Sequence, residues 1–391
     1  MSHLPAGPFA RLAELLDGIT PGKDPINLSV GDPSGTVPSF VMEALTKAGS
    51  TFGKYPAITG TEEWRDAAAS WLNRRFVLNG TIDPEKHVLP LSGTREGLFL
   101  ALFPLLPLSK GGGKPIVAMP NPFYQAYAAA ALGAHAEPLY VPATAATGFL
   151  PDYAGLPDAA LKRLAAVYIC SPSNPEGAVA NEEYWRQLFA LAERHDFIVL
   201  ADECYADIYF DKPPVSALPA RLQQSGGFSR LLTFHSLSKR SGLPGLRSGM
   251  VAGDAELIAR FRAFRHVAGP QMPGPIMAAS AAAWRDEHHV AANRALYAAK
   301  MAAAERVLGN RAAKPQGGFF LWLETGNGEE TTGRLWREQG VKVLPGAYMG
   351  REIEPGKIQS NPGFSYVRLA LVSDLSTIIT ALERVRNFLW A

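Results

Sequence analysis

Two cysteines in 391 residues, Cys170 and Cys204, stand 34 positions apart with no CxxC pair. That argues against a disulfide framework and a structural zinc site. Charge of one sign is equally scarce: 38 basic residues against 36 acidic ones leave +2, so no global field attracts nucleic acid or an anionic membrane. The longest apolar run, GLFLALFPLLPL, is broken by Pro104 and Pro107, so no membrane span is expected. The opening MSHLPAGPFARLAELLDGI lacks a basic segment leading into a long apolar one, which predicts a reducing, cytoplasmic setting. Internal repeats and low-complexity linkers are absent too. A small-molecule ligand is the expectation that these absences leave.

What is present fits a globular enzyme-sized chain. The hydrophobic share of 47% supplies buried sheets, and the length exceeds one ordinary core, so two domains are expected. Residues 10–18 read as a short amphipathic helix, and PINLSVGDPSGTVP as a brief strand ending in a turn. From about Lys47 to Ala283, short apolar runs (HVLPL, KPIVAMP, EPLYVPA, AAVYICSP, FIVLADE, RLLTFHSL) alternate with helical stretches such as GTEEWRDAAASWLNRRF, capped by Thr61. The alternation predicts an α/β domain on a mostly parallel sheet flanked by helices, over residues 47–283. An Ala-rich helical region follows, roughly Gly274 to Leu308, long enough to bridge domains. GGFFLWLE, TTGRLWREQ, VKVLPG and YVRLALV then mix strands and helices without a βαβ rhythm. Residues 1–46 and 284–391 are therefore expected to form a smaller α+β domain.

Parallel α/β sheets place ligands beyond the carboxyl ends of their strands, so each strand end deserves inspection. LSGTREG offers the backbone N–H groups of Gly93, Thr94 and Arg95 to an anion. NPFYQAY offers the ring of Tyr124, and SPSNPEG presents Asn174. ADECYADIYF presents Asp202 and Tyr205, and FHSLSKRSGLPGLRSG presents Ser236, Ser238, Lys239 and Arg247. Each alone has a bland reading: Asp202 a cap, Asn-Pro a turn, Tyr124 core. GGGKP lacks the Ser or Thr of a phosphate loop, and the adjacent His288 and His289 face different directions on a helix. Five consecutive strand ends with compatible chemistry are much harder to explain that way. An amine among cations, an anion hole, a carboxylate, a phenol, an amide and an aromatic plate together suit pyridoxal phosphate.

The motifs SNPEG, ADECYADIYF and SLSKRSGLPGLRSG, in this order and spacing, resemble fold-type I pyridoxal-phosphate aminotransferases of the aspartate aminotransferase superfamily over nearly the whole chain. The resemblance implies that Lys239 is the Schiff-base lysine and proton shuttle, and that Asp202 partners the ring nitrogen. It implies that Tyr205 and Asn174 bind the ring's 3′ oxygen and that Tyr124 stacks on the ring. Gly93, Thr94, Arg95, Ser236, Ser238 and Arg247 would hold the phosphate. Arg368, in YVRLALV, would grip the substrate α-carboxylate, with Gly31 of LSVGDP in the closing segment. Tyr55 of GKYPAITG would reach the phosphate of a neighbouring subunit, which implies a homodimer with amino acids and 2-oxo acids as its other partners. Where many relatives have Thr, this chain has Glu176.

Several phrases in both halves, among them NPFYQAY, GFLPDY and VKVLPGAYM, look most like bacterial succinyldiaminopimelate transaminases. That likeness implies amino transfer between N-succinyl-L,L-diaminopimelate and 2-oxoglutarate, in lysine and diaminopimelate biosynthesis. An aspartate, aromatic or other transaminase would share every cofactor residue, and a carbon–sulfur lyase uses the same fold.

Overall fold

The computed structural model describes residues 7–33, 35–224 and 226–390. The first residues of the N-terminal stretch read above, 1–6, lie outside the described residues. The expected short helix runs Pro8–Leu15, with Leu12 buried. The brief strand after it is β1 (Ile26–Asn27).

The apolar runs fold as strands of one sheet: β2 (Val88–Leu91), β3 (Ile116–Asn121), β4 (Glu137–Pro142), β5 (Leu164–Cys170), β6 (Ile198–Asp202) and β7 (Leu231–Ser236). A seventh strand, β8 (Gly249–Gly253), has no counterpart in the sequence reading, because its three apolar residues sit between glycines that weaken any strand signal. The order is β2-β8-β7-β6-β5-β3-β4. Only β8 runs antiparallel to its neighbours. The mostly parallel α/β architecture is thus the one the alternation predicts.

Both faces of this sheet are covered, as a parallel sheet requires. Along β5, Leu164, Val167 and Ile169 join one apolar core, while Ala166 and Tyr168 join the other. Helix Glu62–Arg75 lies in the first, opened by Thr61, whose side chain accepts from the Trp64 N–H as expected of a cap. Helix Ser39–Lys47 belongs with it: Val41 is part of the same core, and the helix packs on Gly274–Arg285.

The Ala-rich region divides in two. Helix Gly274–Arg285 packs on the larger core, whereas helix His288–Leu308 packs on the C-terminal helix Leu375–Leu389. The break falls at Asp286, whose carboxylate accepts from the backbone N–H of His289 at 2.9 Å. A second sheet is built from β9 (Phe320–Glu324), β11 (Leu344–Pro345) and β12 (Tyr366–Ala370), while β10 (Val341–Lys342) pairs in parallel with β1. One face of this smaller sheet (Leu321, Leu323, Val367, Leu369) is buried under helices. The opposite face carries Phe320, Trp322, Tyr366 and Arg368, with Arg368 directly across from Trp322.

Candidate active site

The carboxyl ends of β2, β3, β5, β6 and β7 share one edge of the large sheet, and the antiparallel β8 brings its amino end there too. Gly249 is flanked by Leu91 on one side and Ser236 on the other. The register therefore gathers the segments that follow β2 and β7 and precede β8. Gly93 has φ +88°, a conformation that strongly favours glycine, and a Cβ there would stand 2.2 Å from Nη2 of Arg247. Arg247 itself has φ +51°, and its Nη1 donates to the Pro244 carbonyl at 3.0 Å. The Ser236 hydroxyl accepts from the Ser238 N–H at 3.1 Å and opens the short helix Leu237–Arg240. Gly93, Thr94, Ser236, Ser238 and Arg247 thus gather at one sheet edge, with a cation facing a bare glycine backbone. Arg95 sits at its margin, exposed, where its Nε donates to the Tyr124 hydroxyl.

Lys239 lies in the same short helix. Its Nζ donates to the Gly31 carbonyl at 2.7 Å, which ties the lysine to the LSVGDP segment. Burial pushes its pKa down from 10.5 to about 8; Arg368 and Arg247 act in the same direction, and Cys204 and Asp32 oppose them. An amine so placed deprotonates readily near neutral pH. Asp202 closes β6, buried, with Oδ2 accepting from the Tyr127 hydroxyl at 2.6 Å and Oδ1 from the Cys204 N–H at 3.2 Å. Burial raises its pKa, while those hydrogen bonds and the charge of Lys239 favour the carboxylate. Tyr127 is in turn fixed by stacking on Tyr168, with ring centroids 4.3 Å apart.

Across the cleft, Arg368 is buried on β12. Its Nη1 donates to Oδ1 of Asn174 at 3.0 Å, its Nη2 donates to the Ser29 carbonyl at 2.7 Å, and its ring neighbour is Phe320 at 4.4 Å. The other fully buried arginines, Arg221, Arg240 and Arg265, each carry a carboxylate: Glu193, Asp207 and Glu96. Arg368 has no such partner among the described residues, and its Nε lacks a hydrogen bond. Burial lowers its pKa to about 10, which leaves it charged at neutral pH. A buried guanidinium held by neutral oxygens is a receptor for an external carboxylate. Tyr205 lies beneath it, its ring 5.5 Å from Phe319 and 5.8 Å from Phe320. Gly31 is as tightly placed: a Cβ would meet Phe320 at 2.7 Å.

The structure therefore brings together every sequence-read site residue except Tyr55, which is 99% exposed on the loop after the turn Gly49–Gly53. Sequence reasoning missed Tyr127, although it stands one helical turn after Tyr124, and Cys204, whose thiol contacts the Thr94 hydroxyl at 3.2 Å. It also missed what the Glu176 departure does. That carboxyl is buried, its Oε1 lacks a partner, and burial raises its pKa to about 8.

An amine of lowered pKa, a buried carboxylate and a cationic glycine-lined cradle at one sheet edge fit pyridoxal phosphate, with a free guanidinium opposite for a carboxylate. Fold and site define a pyridoxal-phosphate enzyme acting on amino acids. The family described as aminotransferase class I and II matches residues 23–365. The chain belongs to that family, whose cofactor is pyridoxal 5′-phosphate. It is 34% identical to the 4-dedimethylamino-4-oxo-anhydrotetracycline transaminase of Streptomyces rimosus over 92% of each chain. It is 31% identical to the LL-diaminopimelate aminotransferase of Aquifex aeolicus, covering 98% of this chain and 97% of that one. A crystal structure of an aminotransferase from Neisseria meningitidis superposes with a TM-score of 0.93 at 39% identity, over 99% of this chain and 98% of that one. A structure of a probable N-succinyldiaminopimelate aminotransferase from Thermus thermophilus gives 0.83 at 25% identity, over 97% and 100%.

Proposed function

We propose that this aminotransferase moves the amino group of N-succinyl-L,L-diaminopimelate to 2-oxoglutarate in a ping-pong cycle of lysine and diaminopimelate biosynthesis in the cytoplasm. The observation that carries the amino-acid part is Arg368, a buried, acid-free guanidinium aligned with Lys239 across the Gly31 segment. Support for the donor comes from the phrases spread over both halves of the chain and from the names of the Aquifex and Thermus proteins.

Bound pyridoxal phosphate supplies the carbonyl that takes up the amino group and the ring that spreads the electrons left at the α-carbon. The protein does the rest. Lys239 would hold the cofactor and, once released from it, would take up and return the proton at the substrate α-carbon. Asp202, oriented by Tyr127, would keep the ring nitrogen protonated. Tyr205 and Asn174 would donate to the ring's 3′ oxygen, and Tyr124 would cover the ring face. Gly93, Thr94, Arg95, Ser236, Ser238 and Arg247 would hold the phosphate, with Tyr55 added from the second subunit of a homodimer. Arg368 and Asn174 hold the α-carboxylate, and Gly31 releases Lys239 as its segment closes over the substrate. The cofactor unit spans residues 47–283, extended by the helix Ser39–Lys47 that packs on it, and both chain ends form the closing unit.

Product analysis tests this reading. Incubation with donor and 2-oxoglutarate should give glutamate and the 2-oxo product in equal amounts. Pyruvate with ammonia or a thiol, and no glutamate, would make the chain a lyase instead.

A further inference from the structure

Arg351 leaves the smaller sheet on the segment after β11 and meets the carboxyl end of β3. Asn121, the last residue of β3, grips its backbone on both sides: Nδ2 donates to the Arg351 carbonyl at 2.9 Å, and Oδ1 accepts from its N–H at 2.9 Å. Gly350 beside it has no room for a Cβ, which would stand 2.3 Å from the Asn361 side chain. The guanidinium lies 4.9 Å from the Phe123 ring and 5.9 Å from the Tyr140 ring. One of its N–H groups goes to the Gly350 carbonyl at 2.8 Å. Among the described residues no carboxylate pairs with it, whereas the fully buried Arg221, Arg240 and Arg265 all have one.

The nearest charge of note is of the same sign. Burial pulls the Arg351 pKa down, Arg11 adds to the effect, and the Tyr140 hydroxyl opposes it. Arg11 projects from helix Pro8–Leu15 over the Tyr348 ring at 3.9 Å, on the same segment that carries Arg351. Glu329 and Glu14 face Arg11 around the Tyr348 hydroxyl, but neither guanidinium forms an ion pair among the described residues, and Arg351 is left to receive an anion.

Its place across the sheet selects the anion. In the order β6-β5-β3-β4, Phe123 follows the strand two steps from Asp202 and Tyr140 sits on the strand three steps away. The α-carboxylate clamp, Arg368 with Asn174, lies beyond β5, so at a strand spacing of about 4.8 Å Arg351 is roughly 5–10 Å across the sheet from it. The two methylenes of glutamate cover the near end of that span, whereas an acylated diaminopimelate side chain covers all of it.

We propose that Arg351, with Arg11 behind it, is the subsite for a carboxylate at the far end of a long amino-acid side chain, such as a dicarboxylic N-acyl group. The assignment rests on the amino-transfer reading for its substrate but not for its ligand chemistry. Two experiments on the holoenzyme separate these. Calorimetric titration should show suberate, an eight-carbon dicarboxylate, binding at least tenfold tighter than its half-amide; Arg351→Gln should remove that preference and Arg351→Lys keep part of it. In steady-state kinetics, Arg351→Gln should raise KM for N-succinyl-L,L-diaminopimelate tenfold or more with kcat within threefold, while KM for glutamate moves less than threefold. A suberate preference that survives Arg351→Gln, or an equal KM rise for glutamate, would overturn the assignment. Preferential suberate binding without turnover of the succinylated donor would refute the donor and leave the subsite standing.

Discussion

Lys239 is partly buried in the folded chain, near the cations Arg368 and Arg247, and its lowered pKa can be read without any reaction. In cofactor-free protein the folded state holds this proton only up to about pH 8, while the unfolded state holds it to 10.5. The unfolded state therefore binds more protons across that window, and stability rises with pH through it. Lys239→Met should be the more stable protein at pH 7, by up to roughly 3 kcal/mol, with the gap closing between pH 8 and 10.5. Urea melts at pH 7 and pH 10 check this; a constant gap would show that the lysine is not destabilised by its surroundings. Glu176 behaves in the opposite sense: raised to about 8, it stays protonated when folded and ionises above 4.5 when unfolded. Glu176→Gln should therefore gain on the wild type as pH climbs from 4.5 to 8, by about 2–4 kcal/mol, and match it at pH 4. Arg368→Lys should raise KM about 100-fold for every amino acid tried, since all lose the same two-pronged carboxylate contact. An effect limited to one substrate would move Arg368 to a side-chain pocket.

Strand β8 illustrates how an element, rather than a residue, completes the site. By running antiparallel between β2 and β7, it delivers Arg247, just ahead of it, to the edge where Gly93 follows β2 and Ser236 ends β7. Gly93→Ala combines a strained φ with a Cβ 2.2 Å from Nη2 of Arg247, so it should displace that guanidinium and weaken cofactor binding at least tenfold. Equilibrium titration of apoprotein with pyridoxal phosphate checks it, and the loss should not add to that of Arg247→Ala. Unchanged affinity would exclude Arg247 from the phosphate cradle.

The parallel strands were legible because each is a short apolar run between turns, and their polar ends fall on one edge by topology alone. The strand that follows Arg247 was not legible, since Gly-Met-Val-Ala-Gly has no period and borrows its stability from two neighbours. Tyr127 was hidden for a related reason: only its partner Asp202, 75 residues away, shows that its hydroxyl has a task. The break between helices Gly274–Arg285 and His288–Leu308 was equally invisible, because the Ala-rich pattern continues across a turn held by Asp286.

On the scale of the whole molecule, the cleft lies between a doubly covered seven-stranded sheet and the polar-and-aromatic face of a smaller sheet, joined through Gly31, Arg368 and Arg351. Tyr55 stands apart, fully exposed in the single chain, and the proposed dimer gives it a phosphate to reach. In hybrid dimers of Lys239→Ala with Tyr55→Phe subunits, the site with the intact lysine receives a normal Tyr55 from across the interface. That site should bind pyridoxal phosphate as tightly as wild type, whereas pure Tyr55→Phe dimers should bind it about tenfold more weakly. Weak binding in the hybrid would keep Tyr55 within its own subunit. The central claim meets its most direct test in a single half-reaction. Purified yellow protein is mixed separately with N-succinyl-L,L-diaminopimelate, glutamate, aspartate and phenylalanine, and the cofactor absorbance is followed. The account predicts rapid bleaching by the first two alone. Rapid bleaching by aspartate or phenylalanine, with none from the succinylated compound, would contradict it.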